Sequence, residues 1–182
     1  MSVARKLFRL FKSFNEYQTI KKTLGGDAKP VDKYLAIATR LAFLFYWLFD
    51  NIFVLIKIKF IKTWDMKNAL RRANKAWFLG LILTLIGGIR QMIMLASETK
   101  KVKAEKARGG IDEAAYSEKQ KQIKTKRTTA IFTIIKALGD STTASQGLGY
   151  PKDYLGFEFN DGVVGIGGFT SAFLTCYQNF PK

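Results

Sequence analysis

The sequence predicts an all-α fold: a membrane-embedded helical bundle with an amphipathic helix at its N-terminus and a charged linker. Three observations lead to this prediction. An apolar run covers residues 41–56, and two further apolar segments follow it. Basic residues flank these segments and give the 182-residue chain a formal net charge of +16. Apolar helices joined by basic, water-facing segments are typical of proteins that lie in anionic membranes.

Residues 1–24 are predicted to form the amphipathic helix, because apolar residues recur three and four positions apart. The residues predicted to insert into lipid are Leu7, Phe8, Leu10, Phe11 and Phe14. The residues predicted to contact headgroups are Arg5, Lys6, Arg9 and Lys12. Such a helix lies in a membrane interface or covers the protein's own core, and the pattern fits both. The basic, acid-free start is also similar to a mitochondrial targeting segment.

The first apolar helix is predicted over residues 31–61, after a break at Gly25-Gly26 and with Pro30 at its start. A bilayer core about 30 Å thick takes about 20 helical residues to cross, so the apolar run is slightly short unless Ile58, Phe60 and Ile61 extend it while the lysines snorkel. Asp50 lies inside the apolar run. A carboxylate in lipid needs a partner or a polar surface, which favours packing against other helices.

The second apolar helix is predicted over residues 76–96. Small residues repeat at every fourth position, namely Ala76, Gly80, Thr84 and Gly88. Such a ridge lets another helix approach closely inside a membrane. Arg90 lies in the same segment and is costly there without a partner, for which Asp50 and a lipid headgroup are the two candidates.

Residues 97–128 are charged and nearly free of large apolar side chains, so we interpret them as a solvated linker. The alternative is two exposed helical stretches separated by Gly109-Gly110. An amphipathic helix follows over residues 129–146. Its apolar face consists of Ile131, Ile134, Ile135 and Leu138.

Residues 162–178 form the third membrane candidate, a glycine-rich apolar helix. Gly167 with Ser171, and Gly168 with Ala172, form pairs of small residues suited to helix packing. The glycines lack the Lys-Ser/Thr and the strand–loop–helix setting of a phosphate-binding loop, so no cofactor is predicted.

Several functional classes are not expected. The chain has no histidine and one cysteine, Cys176, which excludes an internal disulfide framework and a cysteine-cluster metal site. Without histidine the usual nucleophile–base pairs cannot form, so we do not expect an enzyme. The aromatic residues lie inside apolar runs instead of among the basic clusters, which argues against nucleic acid. The first apolar residues alternate with Arg and Lys, so no secretory signal peptide is predicted.

Four segments carry a family resemblance. They are residues 5–13 (RKLFRLFKS), the aromatic run that ends in Asp50-Asn51, Trp77 at the opening of the second apolar helix, and residues 155–180 (LGFEFNDGVVGIGGFTSAFLTCYQNF). In this order and spacing they resemble the peroxin-eleven family, membrane proteins that elongate and divide peroxisomes. Members of that family carry further helices ahead of the Arg-Lys-Leu segment. Here that segment begins at residue 5, so we expect a relative that is shortened at the N-terminus.

The resemblance implies a peroxisomal membrane protein whose amphipathic helix inserts into one leaflet and bends the membrane. It also implies self-association, and recruitment of a dynamin-related GTPase and its fission receptor. Both termini would face the cytosol, so one of the three apolar segments would be re-entrant or interfacial. Two alternatives stay open: an accessory subunit of a larger organellar complex, such as a mitochondrial one, and a metabolite pore with Asp50 and Arg90 on its path.

Overall fold

The computed structural model describes residues 9–27 and 29–180, and every regular element among them is helical. The prediction of an all-α fold is confirmed. Helix α1 covers Lys12–Leu24, α2 Pro30–Lys57, α3 Met66–Ala107, α4 Glu113–Leu148 and α5 Asp161–Asn179. A π-helical turn, Pro151–Leu155, lies between α4 and α5.

The helix ends coincide with residues that satisfy free backbone groups. The side chains of Asp65, Asp112 and Asn160 each accept a hydrogen bond from a backbone N–H in the first turn of α3, α4 and α5, at 3.0, 2.8 and 2.8 Å. Helix α2 instead begins on Pro30, which has no N–H to satisfy. Gly149 ends α4 in the left-handed conformation, with φ 78°.

Each helix packs chiefly on its neighbours in sequence, so the helices form an antiparallel series from α1 to α5. The contact between α3 and α4 is built on two rows of buried residues seven positions apart. These rows are Leu81, Gly88, Leu95 and Val102 on α3, and Ile123, Ala130, Ala137 and Ala144 on α4. A seven-residue repeat keeps one face of each helix on its partner, and the small residues let the two backbones lie close together.

The interpretation of residues 97–128 as a solvated linker is wrong. Residues 97–107 continue α3, and residues 113–128 are the first half of α4. The hairpin turns at Gly109, which has φ 71°. A few apolar side chains, namely Val102, Ile111, Tyr116 and Ile123, hold the two helices together here, so a highly charged segment still forms the hairpin.

The other boundaries differ from prediction in smaller ways. The predicted apolar helix 76–96 is the middle of one 42-residue helix, α3, which begins at Met66. Helix α2 ends at Lys57 instead of residue 61. Two residues after this end, Lys59 adopts a positive φ of 62°. The amphipathic segment 129–146 is the second half of α4, and the glycine-rich helix covers residues 161–179. The described part of the N-terminal helix begins at Lys12.

Among the described residues, α2 and α3 are the two helices long and apolar enough to cross a membrane on length and composition alone. The third predicted membrane candidate, α5, does not meet that criterion. In the most apolar 18-residue stretches of α2 and α3, only 17% and 22% of the stretch is buried inside the protein. A core helix of a soluble protein is mostly buried, so the open apolar faces of α2 and α3 favour contact with lipid or with another protein.

Candidate membrane-contact site

Helix α1 turns its aromatic residues away from the rest of the protein. Its one buried residue is Ile20, which is 8% exposed and lies on the side that faces α2. Phe11, Phe14 and Tyr17 are 82%, 58% and 50% exposed, and the Phe14 and Tyr17 rings lie 6.4 Å apart. We call these three residues the aromatic stripe. The stripe does not cover the protein's own core, so these aromatic side chains are open to lipid or to another protein.

Polar contacts hold α1 antiparallel to α2. The Lys12 ammonium and the Arg9 guanidinium lie over the Trp47 ring, at 4.8 and 5.9 Å from its centroid. Glu16 forms an ion pair with Arg40 at 3.3 Å. These groups are partly open to solvent, where a surface ion pair contributes about 0–1 kcal/mol and a cation–π contact about 0.5–1 kcal/mol. These polar contacts between α1 and α2 are therefore weak, and the buried Ile20 adds an apolar contact to them.

One further contact fixes the segment ahead of α1: the Asn51 side-chain amide donates a hydrogen bond to the Leu10 carbonyl. Leu10 is half-buried, unlike the neighbouring Phe11. The other predicted insertion residues, Leu7 and Phe8, and the predicted headgroup contacts Arg5 and Lys6 lie outside the described residues. Two of the four predicted headgroup contacts, Arg9 and Lys12, thus stack on an aromatic ring in this structure.

The predicted small-residue ridge of α3 contacts two different helices instead of one. A Cβ atom on Gly80 would lie 3.0 Å from the Phe43 ring of α2, whereas one on Gly88 would lie 2.7 Å from Ile134 of α4. The Thr84 hydroxyl donates to the Gly80 carbonyl of its own helix at 2.7 Å. Since α3 lies between α2 and α4, the two glycines admit a different helix on each side.

The small residues of α5 divide in the same way. Gly167 is buried, and a Cβ atom there would lie 2.3 Å from the Thr142 hydroxyl and 2.7 Å from the Gly139 carbonyl oxygen of α4. Ser171 is 7% exposed, and its hydroxyl bonds to the Asp140 carboxylate. Gly168 has no described atom within 4 Å of its Cβ position, and Ala172 is exposed. Of the two predicted pairs, Gly167–Ser171 packs on α4 and Gly168–Ala172 faces outward.

Of the two candidate partners of Arg90, Asp50 is wrong. The Arg90 guanidinium bonds to the carboxylate of Asp32, near the start of α2. Asp50 is 2% exposed and lies much farther along the same helix, about 27 Å from Asp32 at 1.5 Å per residue. A single sequence does not show the register of α2 on α3, so it does not identify Asp32, which lies outside the apolar run, as the partner.

A groove of about 670 Å³ between α2, α3 and α4 contains polar residues that the sequence pattern did not single out. Arg40 lies on one wall, and Lys136 and Asp140 lie on the other. The Lys136 ammonium donates to the Gln178 side chain of α5 at 3.1 Å. No group of three or more His, Cys, Asp or Glu side chains in residues 9–27 and 29–180 could hold a metal ion.

Aliphatic residues cover the opposite side of the α3–α4 pair, and the sequence pattern indicated only the α4 part of them. They are all exposed: Leu79, Ile82, Ile86, Ile89 and Ile93 on α3, with Ile131, Ile135 and Leu138 on α4. We call these eight residues the aliphatic face. A continuous exposed surface of this kind marks contact with lipid or with another protein.

Comparison with known proteins identifies a family. A family model described as peroxisomal biogenesis factor 11 (PEX11) matches residues 1–180. Searches of curated proteins and of solved structures gave no match.

Proposed function

Because the chain belongs to the peroxisomal biogenesis factor 11 (PEX11) family, which acts in elongation and division of the peroxisomal membrane, we propose that it elongates that membrane by inserting α1 into one leaflet. The aromatic stripe carries this proposal, since Phe11, Phe14 and Tyr17 face away from the protein. In this proposal α2 and α3 hold the chain in the bilayer. Helix α1 enters the leaflet only at its surface.

Insertion requires α1 to leave α2. Gly25-Gly26 directly follow α1, and each has only backbone carbonyls of the preceding turn near its Cβ position, so the chain can bend there. The free energies favour release. Each inserted aromatic side chain contributes about 1.5–3 kcal/mol, and each basic residue near an anionic surface about 1 kcal/mol more. These gains exceed the weak polar contacts of Lys12, Arg9 and Glu16 with α2 together with the burial of Ile20, which contributes about 1.5–3 kcal/mol to the docked position.

Once inserted, α1 would spread the headgroups of one leaflet, because such helices lie about 5–10 Å deep at the headgroup boundary. Many copies acting together would convert this local wedge into curvature. The proposal therefore includes self-association, and recruitment of a dynamin-related GTPase and its fission receptor, as the family resemblance implies. The chain would act by changing membrane shape, with no catalytic step.

Expression of the fluorescently tagged chain in cells with a peroxisomal marker tests this function. We expect the tagged chain at the peroxisomal membrane and elongated peroxisomes in those cells. The Phe11→Glu, Phe14→Glu double variant should reach the same membrane without elongating it. Mitochondrial localisation, with co-purification in fixed stoichiometry with other membrane subunits, would instead support the accessory-subunit alternative.

A further inference from the structure

The α3–α4 hairpin extends beyond the other helices of the structure. Helix α2 begins at Pro30 and reaches α3 near Arg90, and α5 ends near Gln178, which bonds to Lys136. Residues 95–123, which we call the stalk, lie past both contacts. The stalk has its own small core of Leu95, Val102 and Ile123, with Ile111 and Tyr116 packed against it.

One side of this hairpin changes from aliphatic to basic along its length. On α3 a single stripe at spacings of three and four consists of Leu79, Ile82, Ile86, Ile89, Ile93, Ala96, Lys100 and Lys103. On α4 the corresponding stripe consists of Lys121, Lys124, Thr128, Ile131, Ile135 and Leu138. Such spacing keeps every member of a stripe on one face of its helix.

The two stripes lie on the same side of the hairpin. Ile82 and Ile89 each directly follow a buried residue of α3, and Lys124, Ile131 and Leu138 each directly follow a buried residue of α4. In an antiparallel pair, positions related in this way point to the same side. The lysines therefore continue the aliphatic face where the hairpin leaves the other helices.

These lysines are close to the end of the aliphatic face. Ile123 packs with Leu95, so Lys124 lies level with Ile93, where that face ends. Lys121 and Lys100 lie within about 10 Å of that level at 1.5 Å per residue. This distance is comparable to the thickness of a headgroup layer, since a bilayer about 40–45 Å thick has a core of about 30 Å.

The same three lysines carry charge that the protein does not neutralise. Residues 97–128 contain ten Lys or Arg and five Asp or Glu. Glu105 pairs with Lys119 at 3.0 Å, and Glu113 pairs with Lys106. Throughout the part of the chain that the structure describes, no carboxylate forms an ion pair with Lys100, Lys121 or Lys124.

We propose that Lys100, Lys121 and Lys124 form an anionic-phospholipid contact at the base of the stalk, separate from α1. Hydrocarbon covers the aliphatic face, and the lysines meet the headgroup phosphates and carboxylates directly above it. A membrane fits this surface better than an acidic protein does, because the cations are continuous with an apolar face. The contact orients the hairpin in the bilayer and does not depend on insertion of α1.

Quenching by brominated lipid at the edge of the aliphatic face tests this proposal. A fluorophore is attached to Ile93→Cys in a Cys176→Ser background, and the full chain is reconstituted in vesicles of brominated phosphatidylserine or brominated phosphatidylcholine mixed with neutral lipid. We expect phosphatidylserine to be enriched about threefold or more at this position, since each lysine near the surface attracts anionic lipid. High salt should reduce the enrichment.

In the variant Lys100→Gln, Lys121→Gln, Lys124→Gln, brominated phosphatidylserine should quench the fluorophore about as much as brominated phosphatidylcholine does. The matched control, Lys101→Gln, Arg108→Gln, Lys126→Gln, loses the same charge from other sides of the hairpin and should keep the enrichment. Equal quenching by the two lipids in the unmodified chain, or equal losses in the two variants, would overturn the proposal. Protection of the three lysines from acetylation by polyglutamate, but not by phosphatidylserine, would assign the surface to an acidic protein instead. The readout at Ile93 is separate from membrane elongation, so either proposal can fail alone.

Discussion

The Phe11→Glu, Phe14→Glu double variant should no longer tubulate anionic vesicles that the unmodified chain tubulates. Burial of two aromatic side chains stabilises the inserted state by about 3–6 kcal/mol, on the order of 100-fold or more in partitioning. Two carboxylates in their place are in addition repelled by an anionic surface. Phe11 is the N-cap of α1, where an acid favours the helix, so the loss would not reflect unfolding of α1. Electron microscopy of the vesicles gives the result.

A control variant separates insertion from charge. Asn15→Glu with Lys22→Gln changes the net charge of α1 by the same amount, and both positions are exposed outside the aromatic stripe. We expect this control to lose part of its affinity for the vesicles and still to form tubules. If the double phenylalanine variant tubulates as well as the control does, the wedge mechanism is wrong.

Gly167→Ala should lower the stability of the protein in detergent, whereas Gly168→Ala should not. The new methyl group at position 167 would lie 2.3 Å from the Thr142 hydroxyl and 2.7 Å from the Gly139 carbonyl oxygen, so α5 has to move away from α4. Overpacking of this kind costs about 1–3 kcal/mol, and backbone atoms cannot rotate aside as a side chain can. We expect Tm to fall by about 3–10 °C.

Gly168 is a matched control, since it is the next residue in the same helix and has no described atom within 4 Å of its Cβ position. Alanine in its place should leave Tm unchanged or raise it, because alanine favours a helix over glycine by about 1 kcal/mol. Circular dichroism during heating compares the two variants. A similar fall of Tm in both would mean that α5 does not pack on α4 through Gly167.

The sequence patterns predict which segments are helical better than they predict which helices pack together. The apolar runs around Leu48 and Leu85 and the glycine-rich helix at Gly167 were all assigned as helical, because composition and spacing report directly on a helix. Residues 97–128 suggest a linker instead of a helical hairpin, since Val102 and Ile123 are isolated among polar and charged residues and reveal their seven-residue repeat only when both helices are aligned.

Contacts between helices depend on register, which a single sequence does not contain. The apolar run predicted that Arg90 needs a partner, but the choice between Asp32 and Asp50 required the placement of α2 on α3. Likewise, the spacing of Phe11 and Phe14 predicts an apolar face, whereas the orientation of that face away from the protein depends on Ile20 facing α2. The position of α1 on α2 also decides that Arg9 and Lys12, which were predicted to meet lipid, lie over the Trp47 ring.

The depth of α1 in a membrane tests the central claim most directly. Spin labels at Phe14→Cys and at Thr19→Cys, in a Cys176→Ser background, report accessibility to oxygen and to a water-soluble relaxation agent in anionic vesicles. The account predicts that the label at position 14 lies about 5–10 Å below the phosphates and that the label at position 19, on the opposite face of the helix, stays in water. Equal exposure of both labels to the water-soluble agent would contradict it.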